Sequence, residues 1–381
     1  MNIAIFSDTY LPQINGVVTS MEMFREALEK KGHNVYIFAP QIRGKKLQDD
    51  ANVFRFASTT FLFQPEYRIS LPYSRAINKF AKLNIDIIHS QTPFTMGLLA
   101  VYLAKRHNIP LVHTYHTLFS EYVHYLPIPT DYSKQFAIWV SKSYCNVNQL
   151  IIAPTEQIKA ELIKYNVTTP IEVIPTGINI TDVHKVQTKI VEDQFKLTKD
   201  KIYLSTISRL GKEKNVPFLL NAFKLVHDVY PNTGLIIMGD GPERKALERE
   251  ATKLGIRDNI VFTGYIDRTQ VFPLLKVSTV FVFASKTETQ GLVILEAMSM
   301  KKPVVAIDAM GVSSVLEDNQ GGYLTHDDPT HFSQCVIALL SNPETYEQKC
   351  IEAYKKATDL SANKMARKLI NCYKSLLPSP K

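Results

Sequence analysis

A chain of 381 residues with 45% hydrophobic and 21% charged side chains is globular in composition and too long for one ordinary core. Its net charge of +8 admits an anionic partner, but the basic residues do not interleave with aromatics as a nucleic-acid module would, so nucleic acid is not expected. Cys145, Cys335, Cys350 and Cys372 make no C-x-x-C pair, which argues against a zinc or disulfide framework; with no signal-like start and no apolar run long enough to span a bilayer, a cytoplasmic protein is expected.

In chain order, Asn2 to Phe6 reads as a buried strand, Ser7-Asp8-Thr9 as the loop after it, and Gly16 as the opening of the first helix. Strand-like runs recur near 34–38, 86–88, 110–113, 149–153 and 171–174, with helical-period segments between them. After Pro175 the pattern restarts at 202–207 and continues near 234–238, 259–263, 279–283 and 303–306. This alternation predicts an α/β chain of two doubly wound parallel-sheet domains, 1–177 and 178–360, with the polar stretch 177–201 as linker. There are no repeats or low-complexity tracts.

Three segments carry chemistry. In Ser285 to Met298, Glu288 precedes Gly291 and Glu296 lies about two turns into the helix that should follow, where a free N-terminus favours phosphate and a carboxylate suits a vicinal diol. Arg209 and Lys214 lie in the loop after the 202–207 strand and offer a diphosphate a fork and a point charge. Asn15-Gly16-Val17-Val18 supplies a second phosphate-friendly helix start. No G-x-G-x-x-G follows the first strand, and Gly239-Asp240-Gly241-Pro242 lacks the third glycine, which counts against a nicotinamide or flavin site.

With these segments the chain resembles the retaining glycosyltransferases of the GT-B fold, family four. The likeness extends through Asp86-Ile87-Ile88-His89-Ser90-Gln91-Thr92-Pro93-Phe94, Thr114-Tyr115-His116-Thr117, Val173-Ile174-Pro175-Thr176-Gly177, Met238 to Glu243 and Phe262-Thr263-Gly264-Tyr265. The resemblance implies two domains facing across a cleft, with a last helix, about 361–381, packing back on the first. It implies a nucleotide-sugar donor on the second domain, with Glu296 on the ribose and Arg209 and Lys214 on the diphosphate. Glu288 would take the hexose, backbone from Thr289, Gln290, Gly291 and Leu292 the sugar and phosphate, and Tyr265 and Ile266 the base. Gly16 would approach the diphosphate, and His116 of T-x-H the sugar's primary hydroxyl and the acceptor. The catalytic set so implied is His116, Glu288, Arg209 and Lys214; without a D-x-D motif, no metal and no cofactor beyond the donor is expected to be obligatory.

Within that family, His89 to Phe94 and His116 to Pro127 resemble bacterial diacylglycerol α-glucosyltransferases, which implies UDP-glucose as donor, diacylglycerol as acceptor and a peripheral position on the inner face of the plasma membrane. Asp8, His89, Tyr122 and Tyr125 are the acceptor-side candidates. For the anionic membrane surface the sequence offers Phe61-Leu62-Phe63 flanked by Arg43, Lys45, Lys46 and Arg68, and the basic stretch from Lys355; the cluster Phe54, Phe56, Phe61, Leu62 and Phe63 reads equally as strand core or lipid edge. Another donor with a polysaccharide, protein or small-molecule acceptor, a GT-B nucleotide-sugar epimerase, and a non-enzymatic nucleotide-sugar binder stay open; the oligomeric state is not readable.

Overall fold

The computed structural model describes residues 1–13, 15–42, 50–60, 68–71, 75–116, 130–288 and 290–378. They fall into two compact units, one formed by Met1–Gly177 and Ala362–Lys381, the other by Ile178–Ser361.

In the first unit the strands are β1 (Asn2–Phe6), β2 (Asn34–Pro40), β3 (Val53–Phe56), β4 (Ser58–Thr60), β5 (Arg68–Ser70), β6 (Ile87–Ser90), β7 (Leu111–Thr114), β8 (Leu150–Ala153) and β9 (Ile171–Val173). Helices α1 (Gly16–Glu29), α2 (Arg75–Phe80), α3 (Thr95–His107), α4 (Thr130–Cys145) and α5 (Glu156–Lys164) connect them. The main sheet has the order β3-β2-β1-β6-β7-β8-β9 with every pairing parallel, and β4 and β5 form a separate antiparallel pair. Such a sheet is covered on both faces, which is why β1, β6 and β7 are buried almost throughout, with His89 and His113 inside the sheet. Phe6 stacks on Phe38 at 4.5 Å and Phe38 on Phe54 at 4.9 Å, and Phe56 is fully buried, so the Phe54 and Phe56 pair is strand core.

The second unit repeats the plan. Its helices and strands run α6 (Lys189–Phe195), β10 (Ile202–Ile207), α7 (Val216–Val229), β11 (Thr233–Met238), α8 (Arg244–Lys253), β12 (Ile260–Gly264), α9 (Arg268–Val277) and β13 (Val280–Phe283). They continue through α10 (Leu292–Ser299), β14 (Val304–Ile307), α11 (Met310–Val315), β15 (Gly322–Thr325), α12 (Pro329–Ser341) and α13 (Pro343–Asp359). The order is β12-β11-β10-β13-β14-β15, again all parallel. Its core is aliphatic around Leu204, Leu220, Ile237 and Val282, with Phe218 edge-on to Phe332 at 5.3 Å. A last helix, α14 (Ala362–Leu376), belongs to the first unit, where Ala362 and Ala366 meet Ala27 of α1 and Tyr373 is buried.

Part of the stretch expected to be linker is folded. Helix α6 and the turn Val183–Lys185 belong to the second unit, where Lys276 Nζ donates to the Val186 carbonyl at 2.7 Å and Gln270 Nε2 to Gln194 Oε1 at 2.6 Å. Its seven residues bury only Val191, too few apolar positions for a period to show. Strand β15 also escapes the sequence pattern; it is four residues long and begins on glycine.

In each sheet the chain winds outward one way from a central strand and then returns to its other side. The order reverses at β1/β6 in the first unit and at β10/β13 in the second. Loops at the carboxyl ends of these strands diverge there and leave a crevice, the usual ligand position in open α/β sheets.

Candidate active site

At the β10/β13 reversal, the loop after β10 is laced to the loop after β11. Leu210 N–H donates to the Asp240 carbonyl at 2.9 Å and Glu243 N–H to the Leu210 carbonyl at 3.0 Å. Gly239, at φ +130°, and Gly241 permit this approach, since a Cβ would lie 2.0 Å from the Ser208 carbonyl oxygen at Gly239 and 2.5 Å from that of Leu210 at Gly241. The Gly-Asp-Gly-Pro segment thus serves the backbone that carries Arg209.

The facing loop, after β13, carries Glu288, whose carbonyl accepts from Gly311 N–H at 3.0 Å, and then turns at Gly291, φ +70°, into α10. Lys214 Nζ donates to Glu288 Oε1, both side chains about four-fifths buried, so the predicted diphosphate cation and the predicted sugar carboxylate bridge the reversal as one ion pair. Arg209 lies on the same loop and is exposed. Around them the hydroxyls of Ser208, Ser285 and Thr287 are shielded from solvent, and none has a hydrogen-bond partner among the described residues. An unmet buried hydroxyl costs on the order of 1–3 kcal/mol, so three on two neighbouring loops mark a place that an oxygen-rich ligand completes.

Glu296 projects from α10 and is only 4% exposed, so it is not a solvated helix residue. Arg268, the first residue of α9, donates through Nη2 to its Oε1; burial pushes the Glu296 carboxyl up and Arg268 pulls it back. Sequence reasoning missed Arg268. It lies 28 positions from Glu296 and comes two residues after the Gly264-Tyr265-Ile266 stretch, the signal that could have marked it. Tyr265 is 76% exposed and Ile266 partly buried beside that arginine's helix start. Gln290 is buried, Leu292 opens α10, and Thr289 lies outside the described residues.

The first unit's reversal is held by internal partners. Asp8 is fully buried: its Oδ1 accepts from Thr95 Oγ1 at 2.5 Å and Met96 N–H at 2.9 Å, its Oδ2 from Thr92 Oγ1 at 2.7 Å, and its own N–H donates to Thr92 Oγ1 at 2.8 Å. It caps α3, a structural task for a residue expected on the acceptor side; burial raises its carboxyl and these bonds oppose the rise. His89 has both ring nitrogens engaged, Nδ1 with Tyr373 Oη at 2.6 Å and Nε2 with Thr114 Oγ1 at 2.7 Å, tying α14 to the sheet, and burial drives its imidazole well below the ordinary range.

His116 stands just past β7, partly exposed, with Nε2 2.7 Å from Gln91 Oε1, and burial of its ring pushes its imidazole down to about 4. Read as Nε2–H donating to the amide oxygen, this leaves Nδ1 as the acceptor. His113 engages Ser90 through Nδ1, and burial pushes its imidazole down to about 3. Gly16 is the first residue of α1, after Asn15, whose Oδ1 accepts from Val18 N–H at 3.0 Å; a Cβ there would meet nothing within 4 Å. Tyr122, Tyr125, Phe61 to Phe63, Arg43, Lys45 and Lys46 lie outside the described residues. Among the described residues no three or more His, Cys, Asp and Glu side chains gather as a metal centre, and no helix is long and apolar enough to cross a membrane.

Two family models match the chain in succession, "Glycosyltransferase Family 4" over residues 14–182 and "Glycosyl transferases group 1" over residues 187–357. An alpha-monoglucosyldiacylglycerol synthase of Streptococcus pneumoniae is 30% identical over 98% of this chain and 85% of its own. One of Acholeplasma laidlawii is 30% identical over 90% of this chain and 89% of its own. Among solved structures, Anabaena HepE in complex with UDP and glucose superposes with a TM-score of 0.77 at 18% identity, over 99% of this chain and 100% of that one, a likeness of fold.

Proposed function

The chain belongs to the family 4, group 1 glycosyltransferases of GT-B fold, and on that premise we propose that it moves an α-glucosyl unit from UDP-glucose, with retention of configuration, to diacylglycerol at a membrane surface. The observation that carries the donor half is the Lys214–Glu288 ion pair across the β10/β13 reversal, on the same two loops as the hydroxyls of Ser208, Ser285 and Thr287, which have no partner among the described residues. Support for the lipid half is the match over nearly the whole chain to two alpha-monoglucosyldiacylglycerol synthases.

In this reading the donor's diphosphate takes the Lys214 ammonium and the Arg209 guanidinium, while the hydroxyls of Ser208, Ser285 and Thr287 donate to its oxygens. Charge grows on the diphosphate as the glycosidic bond breaks, and fixed cations and donors at that point lower the barrier without a metal ion. Once Lys214 turns to phosphate, Glu288 is left to accept the sugar's hydroxyls, so donor binding itself unmasks the carboxylate. Glu296, buried, holds the ribose diol. Neutral His116, oriented by Gln91, hydrogen-bonds on the acceptor side without adding a positive charge. The backbone at Gly16, open to approach, is assigned to the diphosphate.

The test is hydrolysis and transfer with UDP-, GDP- and ADP-sugars, with and without diacylglycerol in mixed micelles containing anionic lipid, repeated in EDTA. A glycolipid formed from UDP-glucose, equally fast in chelator and α-configured by NMR, is expected. Donor cleavage with no lipid product removes the acceptor assignment, and an EDTA-sensitive rate removes the metal-free leaving-group assignment.

A further inference from the structure

The exposed face of α4 bears Tyr132, Phe136 and Trp139, 74%, 62% and 62% exposed, at positions i, i+4 and i+7. That spacing puts all three on one side of the helix. Phe136 and Trp139 lie nearly parallel with ring centroids 6.0 Å apart. The opposite face is anchored: Ser133, Ser141, Tyr144 and Cys145 are buried, Tyr115 and Ser141 share a hydroxyl hydrogen bond of 2.8 Å, and Tyr144 Oη donates to Ser90 Oγ at 3.0 Å. The neighbouring crossover, α3, shows Leu98 and Tyr102 to solvent, 60% and 52% exposed, with Arg106 Nη1 donating to Tyr102 Oη at 2.6 Å.

The two helices are adjacent, because β6, β7 and β8 are neighbours in parallel and successive right-handed crossovers lie on one face of the sheet. They touch where a Cβ on Gly97 would come 2.6 Å from Tyr144 Oη. Of the five exposed aromatic side chains among the described residues, Tyr102, Tyr132, Phe136, Trp139 and Tyr265, four stand on these two helices. Across α3 and α4 the charged residues are Lys105, Arg106, Lys134 and Lys142 against the single acid Asp131.

We propose that the outward face of α3 and α4 is the surface by which this protein docks on an anionic lipid bilayer, with Trp139, Phe136, Tyr132 and Tyr102 at the headgroup level and Lys105 and Arg106, which share the side of Leu98 and Tyr102, on lipid phosphates. The proposal rests on the lipid-acceptor reading and gives it a place on the molecule. Tyrosine and tryptophan favour this interface because each joins an apolar ring to a polar tip. Single acyl-depth anchors bind weakly without basic residues beside them, and here the basic residues stand on the same two helices. Helix α14 is basic as well, with Lys364, Arg367 and Lys368 exposed, but carries no large exposed apolar residue and so has nothing to insert. Both docking helices run antiparallel to the strands, so their first turns, with Leu98 and Tyr132, lie toward the sheet edge that bears Gln91 and His116.

Trp139 is the chain's one tryptophan, so its emission reports on this face alone. Vesicles of phosphatidylglycerol and phosphatidylcholine are expected to shift its emission to the blue. Brominated acyl chains should quench it, and pure phosphatidylcholine or high salt should reverse both effects. The Tyr132→Ser, Phe136→Ser variant should lose tenfold or more in vesicle partitioning while hydrolysing donor without lipid at the parental rate. Co-sedimentation with an unmoved, unquenched tryptophan would overturn the proposal in favour of another face. So would no co-sedimentation, or a blue shift that follows protein concentration and a dimer in sedimentation instead of lipid. A lipid-dependent shift with no glycolipid product supports the docking face and removes only the acceptor assignment.

Discussion

The two sheets reverse their strand order in the same way, yet their crevices are finished differently. At β1/β6 two of the groups that the sequence marks have internal partners: Asp8 caps α3, and His89 spends both nitrogens on Tyr373 and Thr114. At β10/β13 Lys214 pairs with Glu288 across the reversal, and three neighbouring buried hydroxyls have no partner among the described residues. One topology therefore yields one edge where Asp8 and His89 are satisfied internally and another where an ion pair stands beside hydroxyls with no described partner. Sheet connectivity makes a crevice, and what the loops leave unsatisfied decides its ligand.

The comparison breaks most readily at the charged edge. The Arg209→Ala, Lys214→Ala double variant is expected to lose about a thousandfold or more in kcat/KM, the scale of losing fixed charge at a developing oxyanion, with UDP affinity falling in calorimetry; near-normal turnover would remove the diphosphate assignment. Glu288→Gln keeps the shape, and should lower kcat by about a hundredfold while nucleotide affinity stays within a few-fold; equal losses in both would make it a binding residue only.

Acid should separate the units. The imidazoles of His113, His116 and His89 are all held below their ordinary value, His113 near 3 and His116 near 4. Unfolding lets each bind a proton that the fold refuses, so stability falls as pH drops from about 6.5 toward 4, by up to roughly tenfold in the unfolding equilibrium per pH unit for each histidine. Trp139 lies in the first unit and reports its melting; a flat stability from pH 6.5 to 4 would contradict the burial of these rings. Asp8→Asn should cost the first unit about 1–3 kcal/mol through mismatched cap bonds and leave UDP binding by the parent's curve; weakened UDP binding would give Asp8 a place at the donor. The smallest effect sharpens the contrast best. Gly16→Ala meets open space and should leave the melting temperature unchanged, yet reduce transfer by about tenfold, the scale of a displaced reacting group; unchanged activity would take Gly16 out of the site.

Much of this was legible in one dimension. The buried strands of a parallel sheet leave continuous apolar runs, so β1, β10, β11 and β13 and the two-sheet plan could be read directly. Gly291 announced its turn and, with Glu288, Arg209 and Lys214, stood on the loops where the strand order reverses. The motif likeness named the family that the whole-chain matches show. Local sequence could not reveal α6, whose short polar face carries no period, nor the task of Asp8, whose partners at Thr92, Thr95 and Met96 are more than 80 residues away.

What the sequence determined by itself was which residues are apolar often enough to form strands, and which loops carry charge and glycine; these are properties of neighbours in the chain. What only the tertiary structure decided was which charges meet. Lys214 finds Glu288 across 74 positions, Arg268 finds Glu296 across 28, and Tyr373 finds His89 across 284, because strand order, not chain order, sets those neighbours. The α4 stripe belongs to the same class: its aromatic spacing suits a core helix equally well, and only the packing of Tyr144 and Cys145 inward turns Trp139 to solvent.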